Sequence, residues 1–160
     1  MLEDGSVYEG TARGDFKETA CEIVFNTSMT GYVEILTDPS YAGQGVVMTY
    51  PMIGNYGISR EDFESERLQP SAFIVHELSS DPSNFRCTDT IENLLKEYNI
   101  PCISGVDTRA VVKKLRESGT MRGVLTSDIG DRERLMDVIK SFRQIDLVGS
   151  VTAKQTKVSY

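Results

Sequence analysis

The sequence lacks a long apolar segment, an export signal and an excess of basic residues. No apolar run approaches the ~20 residues that a transmembrane helix needs, so we predict that no segment spans a membrane. The first residues, 1–5, have neither the basic nor the apolar stretch of a signal peptide. Lys and Arg number 17 against 24 Asp and Glu, and the net charge of −7 argues against a nucleic-acid partner, because phosphate binding needs a basic surface. We therefore expect an acidic cytoplasmic protein.

Cysteine is scarce, and its spacing excludes two common roles. Cys21, Cys87 and Cys102 are an odd number without paired spacing, which is not typical of a secreted disulfide framework. They are not clustered with histidine either, so no metal site is predicted. Cys21 and Cys102 lie in apolar runs and are expected in the core. Cys87 lies in a polar stretch beside Arg86, whose charge would favour the thiolate.

Histidine occurs once, at the end of an apolar run. Any Cys–His nucleophilic pair would have to use His76, with Cys87 as the candidate thiol. The simpler interpretation is a histidine at a strand end that is hydrogen-bonded to backbone. Sequences typical of a phosphate loop, a dinucleotide site or a nucleophile elbow are also missing. These absences favour a binding or interaction module over an independent enzyme.

The length of 160 residues, with 39% hydrophobic and 26% charged residues, is that of an ordinary globular domain. The first half is rich in predicted strands, at 7–10, 20–26 and 45–50. Between the last two, Ser28 is predicted to begin a helix with Met29 on its buried face, and Pro39 to end it.

In the second half, predicted strands alternate with predicted helices. The strands are 71–76, 101–104 and 123–126. Asp89 or Thr90 is predicted to cap the first helix, Asp107 or Thr108 the second, and Asp131 begins the third. The alternating order predicts parallel strands. Together with the first half, it predicts an α/β fold with a partly parallel sheet, a second and more antiparallel sheet, and helices.

One segment, 24–41, is unusually rich in small hydroxyl residues, Asn and Gly beside aromatic residues. Such groups orient a polar ligand or dock a partner, but they also cap helices and form turns. The residues alone leave both interpretations open.

This segment resembles the N-terminal domain of the small, glutamine-hydrolysing subunit of carbamoyl-phosphate synthetase, and the resemblance covers essentially the whole chain. Four further motifs occur in the family's order. They are Leu2-Glu3-Asp4-Gly5-Ser6, Thr49-Tyr50-Pro51-Met52-Ile53-Gly54-Asn55-Tyr56-Gly57, Ser83-Asn84-Phe85-Arg86 and Gly105-Val106-Asp107-Thr108-Arg109.

The resemblance implies a swivelling β/β/α-type domain without catalytic residues. In the family, a C-terminal glutaminase half with a cysteine nucleophile hydrolyses glutamine, and the ammonia reaches a large subunit. That subunit uses ATP and magnesium to make carbamoyl phosphate from bicarbonate for arginine and pyrimidine synthesis. The N-terminal half packs on both, so the implied partners are the large subunit, the glutaminase domain and glutamine. No cofactor is expected on this domain itself.

One residue is assigned by position in the family motif. Ser40, in Asp38-Pro39-Ser40-Tyr41, is implied to contact bound glutamine from across the domain interface. It would position the substrate through its hydroxyl and backbone N–H, and not act as a nucleophile, because this chain supplies it with no base.

The chain is polar from Gly149 to Tyr160, which is typical of a domain end or linker, and the resemblance implies what would follow. Residues 1–150 are expected to form the domain, and 151–160 the start of a linker to a glutaminase domain, so that the chain is part of a longer polypeptide and inactive alone. Neither the cysteines nor His76 matches the family's catalytic motifs. Two alternatives are a stand-alone interaction adaptor and a thiol enzyme that uses Cys87 with His76.

Overall fold

The computed structural model describes residues 1–80 and 88–143 of the chain. Eight strands lie within these residues: β1 Thr11–Arg13, β2 Thr19–Asn26, β3 Gln44–Met48, β4 Met52–Ile53, β5 Ala72–Ile74, β6 Glu77–Leu78, β7 Cys102–Ser104 and β8 Met121–Leu125. The α-helices are α1 Tyr32–Thr37, α2 Ile91–Glu97, α3 Thr108–Ser118 and α4 Arg132–Ser141. Two short 3-10 helices cover Pro39–Tyr41 and Arg60–Asp62.

Six of the strands form one mixed sheet in the order β1-β7-β5-β3-β2-β8. The four central strands are parallel to one another, whereas the edge strands β1 and β8 are antiparallel to their neighbours. β4 and β6 form a separate two-stranded sheet. The prediction of an α/β fold, with a partly parallel sheet, a second sheet and helices, is therefore confirmed.

Two details of the predicted topology are wrong. The second sheet is parallel, with Met52 opposite Glu77, and the antiparallel pairings lie at the edges of the large sheet. The third strand of the alternating series, β8, is also not parallel to the others; it crosses to the far edge and pairs antiparallel with β2. The predicted alternation considered only the strands of the second half. Because β2 and β3 from the first half lie in the same sheet, β8 pairs with β2 and not with β7.

The central strands are buried on both sides, which explains their uninterrupted apolar sequences. Val46 and Val47 point to opposite faces of β3, and both are fully buried. Val46 packs in a cluster with α1 and α2, whereas Val47 packs in a second cluster with α3. Helix α4 adds a smaller cluster against Val124 of β8.

The predicted strand at 7–10 is wrong, because the first strand begins later, at Thr11. The chain passes very close to β7 before that point. A Cβ atom added to Gly10 would lie 2.5 Å from the Ser104 carbonyl oxygen, so this approach requires glycine. Gly10 is therefore required by this close passage, and residues 7–10 do not form a strand.

Side-chain caps stabilise the starts of helices α2, α3 and α4, as predicted. The side chains of Thr90, Asp107 and Asp131 each accept a hydrogen bond from a backbone N–H three residues later, over 3.2, 3.0 and 2.9 Å. Such a cap stabilises a helix by about 1 kcal/mol. At the end of α3, Gly119 follows the last residue, in the position where glycine is preferred.

Helix α1 begins later than predicted, because Ser28 is not its cap. The helix begins at Tyr32, after Gly31, which has a left-handed φ of 79° and no capping side chain. The N–H of Gly31 donates instead to the Tyr56 hydroxyl, over 2.7 Å. As a result, Met29 lies outside the helix and is 71% exposed.

Candidate functional site

Ser40 lies in the short 3-10 helix Pro39–Tyr41, directly after α1. Pro39 ends α1 as predicted: Asp38 before it is extended, with a φ of −71° and a ψ of 120°. The Ala42 N–H donates to the Pro39 carbonyl over 3.1 Å, which closes the 3-10 turn. Ser40 is exposed, so a second domain or subunit has access to it.

The carboxylate of Asp38 engages both hydrogen-bond donors of Ser40. The Ser40 backbone N–H donates to Asp38 Oδ1 over 2.8 Å, and the Ser40 hydroxyl donates to the same oxygen. Sequence reasoning assigned both groups of Ser40 to the substrate. In this structure both donors bind Asp38, which leaves the lone pairs of Ser40 Oγ to accept a hydrogen bond from a ligand.

Tyr41 anchors the other end of the 3-10 helix to the sheet. Its hydroxyl accepts a hydrogen bond from Nδ2 of Asn26, at the end of β2, over 2.8 Å. Its ring packs against the apolar cluster that α1 and α2 cover. The contact joins residues 15 positions apart, and the sequence pattern did not reveal it.

Thr37 fixes the helix that leads to this site. Its side chain is fully buried, and its hydroxyl donates to the Val33 carbonyl over 2.9 Å and accepts from the Glu64 N–H over 2.9 Å. The carbonyl of Thr37 also accepts from the Ser65 hydroxyl. Thr37 and Asp38 therefore form structural hydrogen bonds, as one interpretation of the hydroxyl-rich segment predicts, and the ligand-binding interpretation stays a prediction for the exposed Ser40.

A pair of tyrosines holds the start of α1. The rings of Tyr32 and Tyr56 stack with centroids 4.5 Å apart. The Tyr32 hydroxyl donates to the Gly57 carbonyl over 2.7 Å. Burial raises the pKa of Tyr56 above its usual range. The sequence pattern did not reveal that Tyr32 and Tyr56 are partners, because they lie 24 positions apart.

The described thiols have no catalytic environment. Cys21 and Cys102 are completely buried, and burial raises the pKa of each thiol to about 12. Both are core residues, as predicted. Cys87 lies outside the described residues.

His76 is hydrogen-bonded to backbone at a strand end, as the simpler interpretation predicts. Its Nδ1 lies 3.1 Å from the carbonyl oxygen of Val106, which is a backbone hydrogen bond near the end of β5. In the same described part of the chain, no three His, Cys, Asp or Glu side chains come together as metal ligands. Within residues 1–80 and 88–143, no helix has the length and apolarity to cross a membrane.

An apolar cleft of about 430 Å³ lies away from Ser40, between the N-terminal residues and the face of the sheet that α3 covers. Its walls include Leu2, Tyr8, Phe16, Val106 and Ile129. Ser40 is not among the residues that line it.

Comparison with known proteins shows the family to which the chain belongs. The family model described as "Carbamoyl-phosphate synthase small chain, CPSase domain" matches residues 1–125. The chain belongs to this family. The matched residues include the sheet, helices α1 to α3 and Ser40, whereas α4 follows them.

The chain also matches one part of each of several longer relatives. The chain is 49% identical over 154 residues to the carbamoyl phosphate synthase small chain of Caldanaerobacter subterraneus, which covers 96% of this chain and 41% of the relative. It is 50% identical over 161 residues to that of Archaeoglobus fulgidus, covering 98% and 44%, respectively. For Clostridium perfringens the identity is 47% over 155 residues, covering 97% and 44%. The chain therefore spans less than half the length of these relatives.

Proposed function

We propose that the chain is the non-catalytic N-terminal domain of the glutamine-hydrolysing subunit of carbamoyl-phosphate synthase. In this role it packs against a glutaminase domain and against the large subunit of the cytoplasmic enzyme. The observation that supports it most is the family match over residues 1–125, which contain the exposed Ser40. The proposal keeps residues 1–150 as the domain and 151–160 as a linker, a boundary that lies outside the described residues.

The chemistry of the described residues supports a role without covalent catalysis. A nucleophile needs a lowered pKa or an adjacent base, and the thiols of Cys21 and Cys102 have neither. The hydroxyl of Ser40 donates to the Asp38 carboxylate, whereas the single histidine of the sequence, His76, is hydrogen-bonded to the Val106 carbonyl, so no histidine of this chain activates the serine. The bond-making groups are therefore expected on the glutaminase domain and the large subunit.

Ser40 is proposed to complete the glutamine site from outside the glutaminase domain. It lies at the surface, on a turn that is fixed to α1 at one end and to β2 at the other. A hydroxyl held in this way adds one directional contact to a polar ligand bound by another domain. ATP and magnesium are expected on the large subunit, and the product, carbamoyl phosphate, is proposed to serve arginine and pyrimidine synthesis.

The test is glutamine-dependent synthesis of carbamoyl phosphate by the complete enzyme that contains this domain. We expect Ser40→Ala to raise the KM for glutamine, while synthesis from added ammonium chloride is unchanged, since ammonia bypasses glutamine hydrolysis. Thr27→Ala, another exposed hydroxyl in the same segment, is the matched control. An unchanged KM in Ser40→Ala would refute the role of Ser40.

A second measurement separates the proposal from the thiol-enzyme alternative. The isolated chain is expected to show no glutaminase activity. Turnover by the isolated chain that disappears in Cys87→Ser or His76→Ala would contradict the proposal. The adaptor alternative predicts that the chain does not associate with the large subunit, which co-purification of the two measures directly.

A further inference from the structure

Asp38 is the residue that controls how Ser40 is presented. One carboxylate oxygen, Oδ1, accepts hydrogen bonds from both the backbone N–H and the hydroxyl of Ser40. Asp38 is partly buried and Ser40 is exposed, so the hydrogen bonds tie a surface hydroxyl to a less exposed neighbour. Hydrogen bonds to a carboxylate are about twice as strong as those between neutral groups.

The rest of the turn leaves Ser40 little other freedom. Pro39 restricts φ just before it, and the Tyr41 hydroxyl is bound to Asn26 just after it. The backbone of the turn is therefore held at both ends. What remains free is rotation about the Cα–Cβ bond of Ser40, and the bond from its hydroxyl to Asp38 selects one rotamer.

We propose that Asp38 is a positioning residue for glutamine binding. It holds the hydroxyl of Ser40 in the rotamer that contacts bound glutamine. It also accepts hydrogen bonds from both donors of Ser40, so that the Ser40 oxygen acts towards glutamine as an acceptor. Asp38 itself does not contact the substrate in this proposal. The inference rests on the proposed function, because it requires that Ser40 contacts glutamine.

The experiment compares Asp38→Ala, Asp38→Asn and Ser40→Ala in the complete enzyme. A lost hydrogen bond of ordinary strength corresponds to about fivefold in binding, and a stronger one to a carboxylate to more. We expect Asp38→Ala to raise the KM for glutamine about five- to tenfold, with kcat changed less than twofold. Asp38→Asn keeps an oxygen acceptor and should recover most of this loss.

A double variant tests whether Asp38 acts through Ser40. If it does, Asp38→Ala combined with Ser40→Ala should raise the KM no further than Ser40→Ala alone. Independent effects would instead multiply, which would overturn the proposal. Synthesis from added ammonium chloride should stay unchanged in every variant.

Asp107→Ala is the matched control for a purely structural effect. Asp107 also accepts a backbone N–H at the start of a helix, but it lies at α3, away from Ser40. Its replacement should lower the melting temperature and leave the KM unchanged. If Asp38→Ala lowers the melting temperature similarly but does not change the KM, Asp38 is only a cap and the proposal is wrong.

The remaining outcomes separate this inference from the proposed function. A raised KM in Ser40→Ala with an unchanged KM in Asp38→Ala refutes the inference alone. A lowered KM in Asp38→Ala also refutes it, because the carboxylate would then compete with glutamine for the Ser40 donors. An unchanged KM in Ser40→Ala refutes both.

Discussion

Tyr56 and Gly31 are joined by a hydrogen bond between segments 25 residues apart. The Gly31 N–H donates to the Tyr56 hydroxyl over 2.7 Å, while the Tyr56 ring stacks on Tyr32, the first residue of α1. The beginning of the helix that leads to Ser40 is therefore fixed by a side chain from another loop. It is not fixed by a capping residue of its own.

Replacing Tyr56 with Phe should destabilise the domain while leaving the ring stacking intact. The Gly31 N–H would lose its acceptor, which costs about 1–3 kcal/mol for a partly buried group. The free energy of unfolding in urea measures this loss. Tyr98→Phe is the control, because the contacts of its hydroxyl are exposed: it lies 3.4 Å from the Glu66 carbonyl oxygen and beside the guanidinium of Arg60. Equal stabilities of the two variants would contradict the importance of the Gly31 contact.

The buried thiols should make the domain less stable in alkaline solution. Folding raises the pKa of Cys21 and Cys102 from 9.0 to about 12, because burial disfavours the thiolate. The stability that the neutral thiols contribute is therefore complete below pH 9 and is lost as the pH rises towards 12.

Unfolding in urea at pH 8 to 11 tests this, in a Cys87→Ser background. Cys21→Ala should reduce the alkaline loss, although it costs stability at neutral pH through the smaller side chain. Neither buried thiol should react with iodoacetamide until the protein unfolds. Rapid alkylation of Cys21 or Cys102 in the folded domain would contradict the burial described above.

Acid should weaken the contact between α4 and the residue before β2. Both guanidinium nitrogens of Arg134 bind the carboxylate of Glu18, at 2.7 and 2.9 Å. These hydrogen bonds lower the pKa of Glu18 from 4.5 to about 2. The associated stability is present above pH 4.5 and is lost as the pH falls towards 2. It should be small, because the pair is exposed to solvent and screened by salt.

Glu18→Gln should therefore flatten the dependence of the melting temperature on pH between 5 and 2, most clearly at low salt. Glu97→Gln is the matched control, since Glu97 also forms an exposed ion pair, with Arg60 over 2.7 Å. A Glu18→Gln variant with the same acid profile as the unmodified domain would exclude a contribution from this pair.

The candidate site could be predicted only in part. The identity of Ser40 came from its motif, and the end of α1 at Pro39 came from a steric rule that acts between adjacent residues. The double hydrogen bond to Asp38 is also local, and an Asp two residues before a serine is the signal that could have indicated it. The Tyr41 contact with Asn26 depends on where β2 ends in space, which the sequence pattern does not specify.

By itself, the sequence determined the features that depend on neighbours along the chain. Asp107 and Asp131 cap their helices because their acceptors lie three residues from the donors, and the apolar runs around Cys21 and Cys102 place both thiols in the core. Only the tertiary structure decided the position of β8, the parallel second sheet and the late start of α1. These features depend on pairings between distant segments, whose geometry arises when the sheet assembles and not from local preference.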